Sequence, residues 1–201
     1  LQTHPGMDLA WVSSRSLAGR RINSVYPELP WDMMFEAVTP GTVSERRADV
    51  VVLALPNDLA SQYVDQLNPA QKVIDLSADY RFDDSWVYGL PERNRQKIRD
   101  AIRVSNHGCY ATAIQLELAP LLKDICTPPV AFGVSGYSGA GRSPSARNDP
   151  DRIRNNLQPY SLNGHLHESE VSHHLRQQTY FLPHVAPFFR GISITLSVNL
   201  D

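Results

Sequence analysis

Cysteine is scarce in this chain: Cys109 and Cys126 are the only two among 201 residues. That excludes a disulfide-stapled scaffold and suits a reducing compartment. No apolar run approaches the ~20 residues needed to span a bilayer. Charge of one sign is also missing, since the net charge is −2 and no lysine-rich run occurs, which argues against nucleic acid or an anionic membrane as partner. Internal repeats and low-complexity tracts are absent, and no glycine fingerprint precedes residue 8. What remains, 42% hydrophobic and 20% charged residues, is enough for one large or two small domains with cores of their own.

The first half alternates strand and helix signals. Ala48–Pro56 is a continuous, largely β-branched apolar run that reads as a strand buried on both faces of a parallel sheet. Leu59, Tyr63 and Leu67 recur every four residues, predicting a short helix, and Lys72–Ser77 is the next strand. Asp8–Ser13 and Ala101–Val104 are weaker strand candidates. Strand, crossover helix and parallel strand make the unit of a doubly wound sheet, so residues 1–107 read as a partial Rossmann-like domain. Ligands on such sheets sit at the carboxyl ends of strands, where Ser13-Ser14-Arg15, Pro56-Asn57, Ser77-Ala78-Asp79 and Asn106–Cys109 fall.

Beyond about residue 127 the pattern changes. Gly191–Asn199 alternates apolar and polar residues, predicting a half-exposed strand in an antiparallel or mixed sheet, with Val130–Val134 as its neighbour. Residues 108–201 therefore read as a separate, partial α+β domain. Ser143–Asn156 reads as a polar, proline-containing loop.

Chemistry concentrates in Val104-Ser105-Asn106-His107-Gly108-Cys109-Tyr110. Asn106 and Gly108 make a turn, and Ile114, Leu118, Leu121 and Leu122 follow at helical spacing. A sulfur in the first turn of a helix meets unpaired N–H groups and the positive end of the dipole, which stabilise it as an anion. Cys109 is then a nucleophile suited to acyl transfer; the other reading is a buried structural cysteine. Gly136–Ser143 nearly matches a phosphate-binding loop, but Arg142 stands where lysine is needed, leaving an anion-wrapping turn or a flexible crossover loop. His165, His167 and Glu170 precede a helix expected over Val171–Gln178. That spacing admits metal ligands, a general base for a thiol with Glu170 orienting the imidazole, or a solvated helix start. Ser13, Ser14 and Arg15 stand where a dinucleotide fold meets the adenosine ribose, and arginine with small hydroxyls there suits the 2′-phosphate of NADP rather than NAD.

Taken together, Ser13–Gly19, Asp75–Arg81, Tyr88–Glu92, Gly108–Thr112, Gly133–Arg142, His165-x-His167-x-x-Glu170, Pro183-His184 and Arg190-Gly191 resemble the N-acetyl-gamma-glutamyl-phosphate reductase family of arginine biosynthesis. The wording of Gly136–Ser145 is most similar to the fungal form, which is cut from a mitochondrial precursor that also carries acetylglutamate kinase. The resemblance implies NADPH-dependent reduction of N-acetyl-glutamyl 5-phosphate to the semialdehyde through a thioester on Cys109, with His165 or His167 moving the proton. Ser13, Ser14, Arg15, Pro56 and Ser77 would contact NADPH, while Asn106, Arg142 and Arg190 would hold substrate. No metal site is implied. It further implies a homo-oligomer, with the kinase as a possible partner, in the mitochondrial matrix if fungal and the cytoplasm otherwise.

His107 departs from the proline usual at that position. The family's first strand with its glycine turn, and the end of its second domain, are expected to be missing, so the chain reads as a fragment with little activity of its own. The alternatives are an aspartate-semialdehyde dehydrogenase-like enzyme, a zinc hydrolase using His165 and His167, and an inactive fragment serving as an interaction surface.

Overall fold

A computed structural model describes residues 3–141 and 143–201. It divides into two compact units, one running to Gly89 and resuming over Asn94–Asn106, the other comprising Leu90–Arg93 and His107–Asp201.

The first unit holds a short helix α1 (Ile22–Val25), then β1 (Val50–Leu53), α2 (Ala60–Val64), β2 (Lys72–Asp75), β3 (Val87–Tyr88) and β4 (Arg103–Ser105). Helix α3 (Pro91–Asp100) is broken at Asn94, where φ −126° and ψ 19° leave the helical region, and the division between units falls there. The strands form one parallel sheet in the order β1-β2-β4-β3. Val43, Val51, Leu53, Ala60, Leu67, Val73 and Trp86 make its core. Leu67 thus packs as the helical spacing requires, although the regular helix stops at Val64.

Two expectations fail in this unit. The run over Ala48–Pro56 pairs only over Val50–Leu53, and it is not buried on both faces, because Val52 is 49% exposed. Among the described residues the core packs on the face carrying Val51 and Leu53 and leaves that of Val52 open. The strand expected over Asp8–Ser13 reduces to a single parallel bridge, Ser13 with Glu36. The stretch bearing Glu36 also makes an antiparallel bridge, Arg21 with Met34, so neither pairing extends into a ladder.

In the second unit α4 (Cys109–Leu118) and α5 (Leu166–Leu175) accompany β5 (Val130–Gly136), β6 (Gln158–Pro159), β7 (Tyr180–Ala186) and β8 (Ile192–Ser197). The sheet order is β6-β7-β5-β8; β5 runs parallel to β7 and antiparallel to β8. This mixed sheet is one of the two kinds, antiparallel or mixed, expected from the alternation in Gly191–Asn199. Tyr110, Ala111, Ile114 and Leu118 from α4 and Val171 and Leu175 from α5 cover one face, packing on Ala131 and Phe181. The other face leaves Val130, Phe132, Tyr180 and Leu182 exposed.

Helix α5 begins five residues earlier than expected. His165 is its N-cap, with a side chain that accepts a hydrogen bond from the His167 N–H, and Glu168 stands in the first turn. Cap geometry therefore places His167 and Glu170 on the helix. The Ser143–Asn156 loop has no regular element, but it is pinned. Asn148 accepts from the Ser145 N–H and donates to the Gly141 and Ser143 carbonyls, and Ile153 is buried.

Candidate active site

Cys109 is the first residue of α4 and is exposed, so the reading of it as a buried structural thiol fails. Helix α4 has no side-chain cap and no acidic residue in its first turn. The amide groups at its mouth thus lie open to an anion at the sulfur. Cys126 is exposed as well, but its Sγ donates to the Asn199 carbonyl at 3.2 Å, beyond the helix.

The turn before Cys109 is held from both sides. Gly108 donates its N–H to Glu170 Oε1 at 2.8 Å, and its carbonyl accepts from the Thr112 N–H and hydroxyl, at 2.9 and 2.7 Å. Glu170 is fully buried, and its Oε1 holds the Gly108 amide. Glycine is required at 108 by close approach: a Cβ there would lie 2.3 Å from His167 Nε2 and 2.8 Å from Glu170 Oε2. The glycine thus admits a histidine and a carboxylate.

His165 and His167 are neighbours, with ring centroids 4.9 Å apart, and both are half-buried. His165 Nδ1 accepts the His167 N–H at 3.1 Å, so in the neutral ring the proton sits on Nε2. Burial, and then the nearby Arg147 guanidinium, push the His165 pKa below the ordinary histidine value, with Glu170 opposing. Such an imidazole donates a hydrogen bond well and takes up a proton poorly, because protonating Nδ1 would break the cap. His167 presents Nε2 against Gly108. Among the described residues no group of three or more His, Cys, Asp or Glu side chains is arranged to hold a metal ion.

Cys109 also lines a cavity of about 360 Å³ with Ser135, Gly136, Ser138, Arg190, Gly191 and others. Gly136 is packed against the Phe188 and Phe189 carbonyls, where a Cβ would lie 2.7 and 2.6 Å away. Arg190 is exposed with its guanidinium 5.4 Å from the Phe189 ring centroid. Arg142 lies outside the described residues. Asn106 belongs to the first unit, where its N–H meets the Asp75 carbonyl and its own carbonyl accepts from Arg81.

Sequence reasoning missed a buried polar group behind this site. The Tyr110 hydroxyl donates to the His184 carbonyl at 2.9 Å and is hydrogen-bonded with Tyr160, and Arg147 lies 4.8 Å from the Tyr160 ring centroid. Burial raises the pKa of both tyrosines, so both remain protonated donors. These residues come from α4, the polar loop and the position just after β6, and no spacing along the chain relates them.

The remaining expected residues lie in the first unit. Ser13 Oγ accepts the Val38 N–H at 3.2 Å, and Ser14 donates its N–H to the Glu36 carbonyl at 3.0 Å. Arg15 is exposed, and no carboxylate among the described residues pairs with it. Pro56 follows β1 at the carboxyl edge of the sheet. Ser77 is buried and used internally, donating to Asp75 and accepting from the Asp79 N–H. The amides opening α2 are filled by Asp79, whose carboxylate accepts from the Asp58 and Ala60 N–H groups at 2.7 and 3.0 Å.

A parallel-sheet unit followed by a mixed α/β unit is the two-domain architecture of the semialdehyde dehydrogenases. Two family profiles match: the semialdehyde dehydrogenase NAD binding domain over residues 1–101 and the semialdehyde dehydrogenase dimerisation domain over 109–201. The chain belongs to the semialdehyde dehydrogenase family.

It is 50% identical over 201 residues to the N-acetyl-gamma-glutamyl-phosphate reductase of Xanthomonas axonopodis pv. citri, covering 98% of this chain and 64% of that protein. Against the reductase of Xylella fastidiosa strain 9a5c it is 50% identical over 204 residues, covering 100% of this chain and 61% of that protein. The chain thus spans less than two thirds of the length of these relatives. They are bacterial, which corrects the fungal-type expectation drawn from Gly136–Ser145. Among solved structures, aspartate semialdehyde dehydrogenase with NADP from Candida albicans matches with a TM-score of 0.71 at 14% identity, over 100% of this chain and 66% of that one. Aspartate semialdehyde dehydrogenase II from Vibrio cholerae matches with a TM-score of 0.69 at 13% identity, over 96% and 66%. At such identity the likeness is one of fold.

Proposed function

We propose that the polypeptide carrying this chain reduces N-acetyl-glutamyl 5-phosphate to N-acetyl-glutamate 5-semialdehyde in arginine biosynthesis, using NADPH. The observation that carries the proposal is an exposed Cys109 at the uncapped mouth of α4, lining a cavity that also contains Arg190. Half identity across the chain to reductases of that name supports the substrate. The aspartate semialdehyde dehydrogenases share the fold at far lower identity.

His167 Nε2 takes the Cys109 proton, and the sulfur attacks the acyl carbon. The tetrahedral oxyanion faces the α4 amides and collapses, breaking the C–O bond to phosphate and leaving a thioester on Cys109. Arg190 holds the departing phosphate through charge-assisted hydrogen bonds, and His167 returns its proton to it. His165, neutral with Nε2–H, serves as a fixed donor to substrate oxygen. Arg147 and Tyr160, with the expected Arg142, complete the set of polar side chains proposed for substrate.

The donor set of the first unit fits an anionic dinucleotide: Arg15 is exposed and unclaimed by any described carboxylate, and Ser14 is beside it. Ser13, Ser14, Arg15 and Pro56 would hold NADPH, which when bound supplies the hydride that reduces the Cys109 thioester. Ser77 supports that edge through Asp75 and Asp79.

The open sheet face bearing Val130, Phe132, Tyr180 and Leu182 is the surface proposed to pair two copies, in keeping with the dimerisation profile it falls in. A cytoplasmic location, the branch that does not depend on a fungal origin, belongs to the same proposal. The test is phosphate-dependent oxidation by NADP of N-acetyl-glutamate semialdehyde against aspartate semialdehyde. Turnover of the first alone is expected; preference for the second refutes the substrate assignment.

A further inference from the structure

The turn ahead of Cys109 contains a glycine, the residue that loses most backbone freedom on ordering. A sulfur that must stay at the mouth of α4 needs that turn restrained. Glu170 and Thr112 hold the two ends of the Gly108 peptide units, as described. A further contact lies one residue upstream, where His107 Nδ1 is hydrogen-bonded to Thr112 Oγ1.

The proton inventory fixes its direction. Thr112 has a single hydroxyl proton, which goes to the Gly108 carbonyl. Its oxygen therefore accepts, and His107 Nδ1 carries the donated proton. The chain from His107 through Gly108 and Cys109 to Thr112 is closed into a ring by one side chain reaching to another across the reactive residue. We propose that His107 is a positioning residue for Cys109, latching the turn to Thr112 so that the sulfur stays against the α4 amides. This rests on the reading of Cys109 as the nucleophile and adds a residue that acts only through it.

The experiment is competitive alkylation of the folded protein by iodoacetamide. Peptide mass spectrometry follows Cys109, with Cys126 in the same molecule as the reference. In the unaltered protein Cys109 is expected to react faster than Cys126. His107→Ala and Thr112→Val should each slow Cys109, relative to Cys126, by about three- to tenfold, the worth of one hydrogen bond. His107→Asn, which can keep a donor near the Nδ1 position, and Thr112→Ser, which keeps the hydroxyl, should stay within about twofold of the unaltered protein. Adding His107→Ala to Thr112→Val should slow Cys109 no further, since both remove the same latch.

If Cys109 reacts no faster than Cys126 in the unaltered protein, the reading of Cys109 fails and the latch with it. If Cys109 reacts faster but His107→Ala leaves the ratio unchanged, or His107→Asn is as slow as His107→Ala, the latch alone is refuted. Should Thr112→Val not fold by circular dichroism, the His107→Ala and His107→Asn pair decides.

Discussion

Replacing Gly108 with alanine isolates the close approach on which the candidate site is built. The backbone there, φ −73° and ψ 151°, is ordinary extended geometry that alanine adopts without strain. In an open position the change would stabilise the protein by about 0.4–1 kcal/mol, through the unfolded chain. Here the new methyl would sit 2.3 Å from His167 Nε2, 2.5 Å from Cδ2 and 2.8 Å from Glu170 Oε2. Overpacking of that kind costs about 1–3 kcal/mol. Stretching the hydrogen bond from the Gly108 N–H to the buried Glu170 carboxylate adds about 1.5–3 kcal/mol. The contact terms exceed the entropic gain, leaving a net loss of about 2–5 kcal/mol. In a unit of roughly 100 residues each kcal/mol lowers the melting temperature by about 4–8 °C. Differential scanning calorimetry should thus show the transition containing Cys109 falling by about 10 °C or more, with Cys109 alkylation slowed. Adding His167→Ala to Gly108→Ala should recover part of the melting temperature without restoring reductase activity. An unchanged transition with unchanged alkylation would mean that His167 and Glu170 do not lie against Gly108, and the base and clamp assigned to them would fall together.

Arg15→Ala should weaken NADPH binding, read by cofactor fluorescence, about tenfold or more while leaving NADH nearly unaffected; equal losses would show that Arg15 does not read the 2′-phosphate. Because His165 titrates below the ordinary histidine value in the folded state, the unfolded chain binds more protons as pH falls through the usual histidine range, near 6.5. Stability should therefore be full above that range and decline below it. Arg147→Met, which removes a cation that disfavours the imidazolium, should flatten the decline in a pH series of melting temperatures, and an unaltered slope would contradict the coupling. Phe132→Glu on the open sheet face should shift the molecule from dimer to monomer in sedimentation velocity, and a dimer of undiminished stability would place the interface elsewhere.

Much of the architecture was legible along the chain because it follows from local periodicity. The alternation in Gly191–Asn199 demanded a strand with one wet face, and β8 pairs antiparallel with β5 as that pattern requires. Glycine followed by helical spacing set the start of α4 at Cys109, and a thiol in a first turn needs no distant residue to be recognised. Periodicity also misled. The β-branched run around Val50–Leu53 looks the same whether one face or both are covered, and only the packing of the core on one side leaves Val52 outside.

The site was readable as residue types and not as partners. Glu170 three residues after His167 suggests a carboxylate serving its own helix neighbours, yet the fold carries it 62 positions back to the Gly108 amide. The choice between His165 and His167 was equally beyond spacing. The proposal of His167 rests on one backbone amide, the His167 N–H, claiming His165 Nδ1 and so placing the proton of that neutral ring on Nε2. Arg147, Tyr160 and Tyr110 carry no common signal, because contacts among a helix, a loop and the end of a strand have no period. Sequence alone determined where the thiol, the histidines and the arginines fall on helix mouths, strands and loops, since local pattern dictates those elements. Tertiary structure decided which of those residues act together, because only the packed chain sets which donor meets which acceptor.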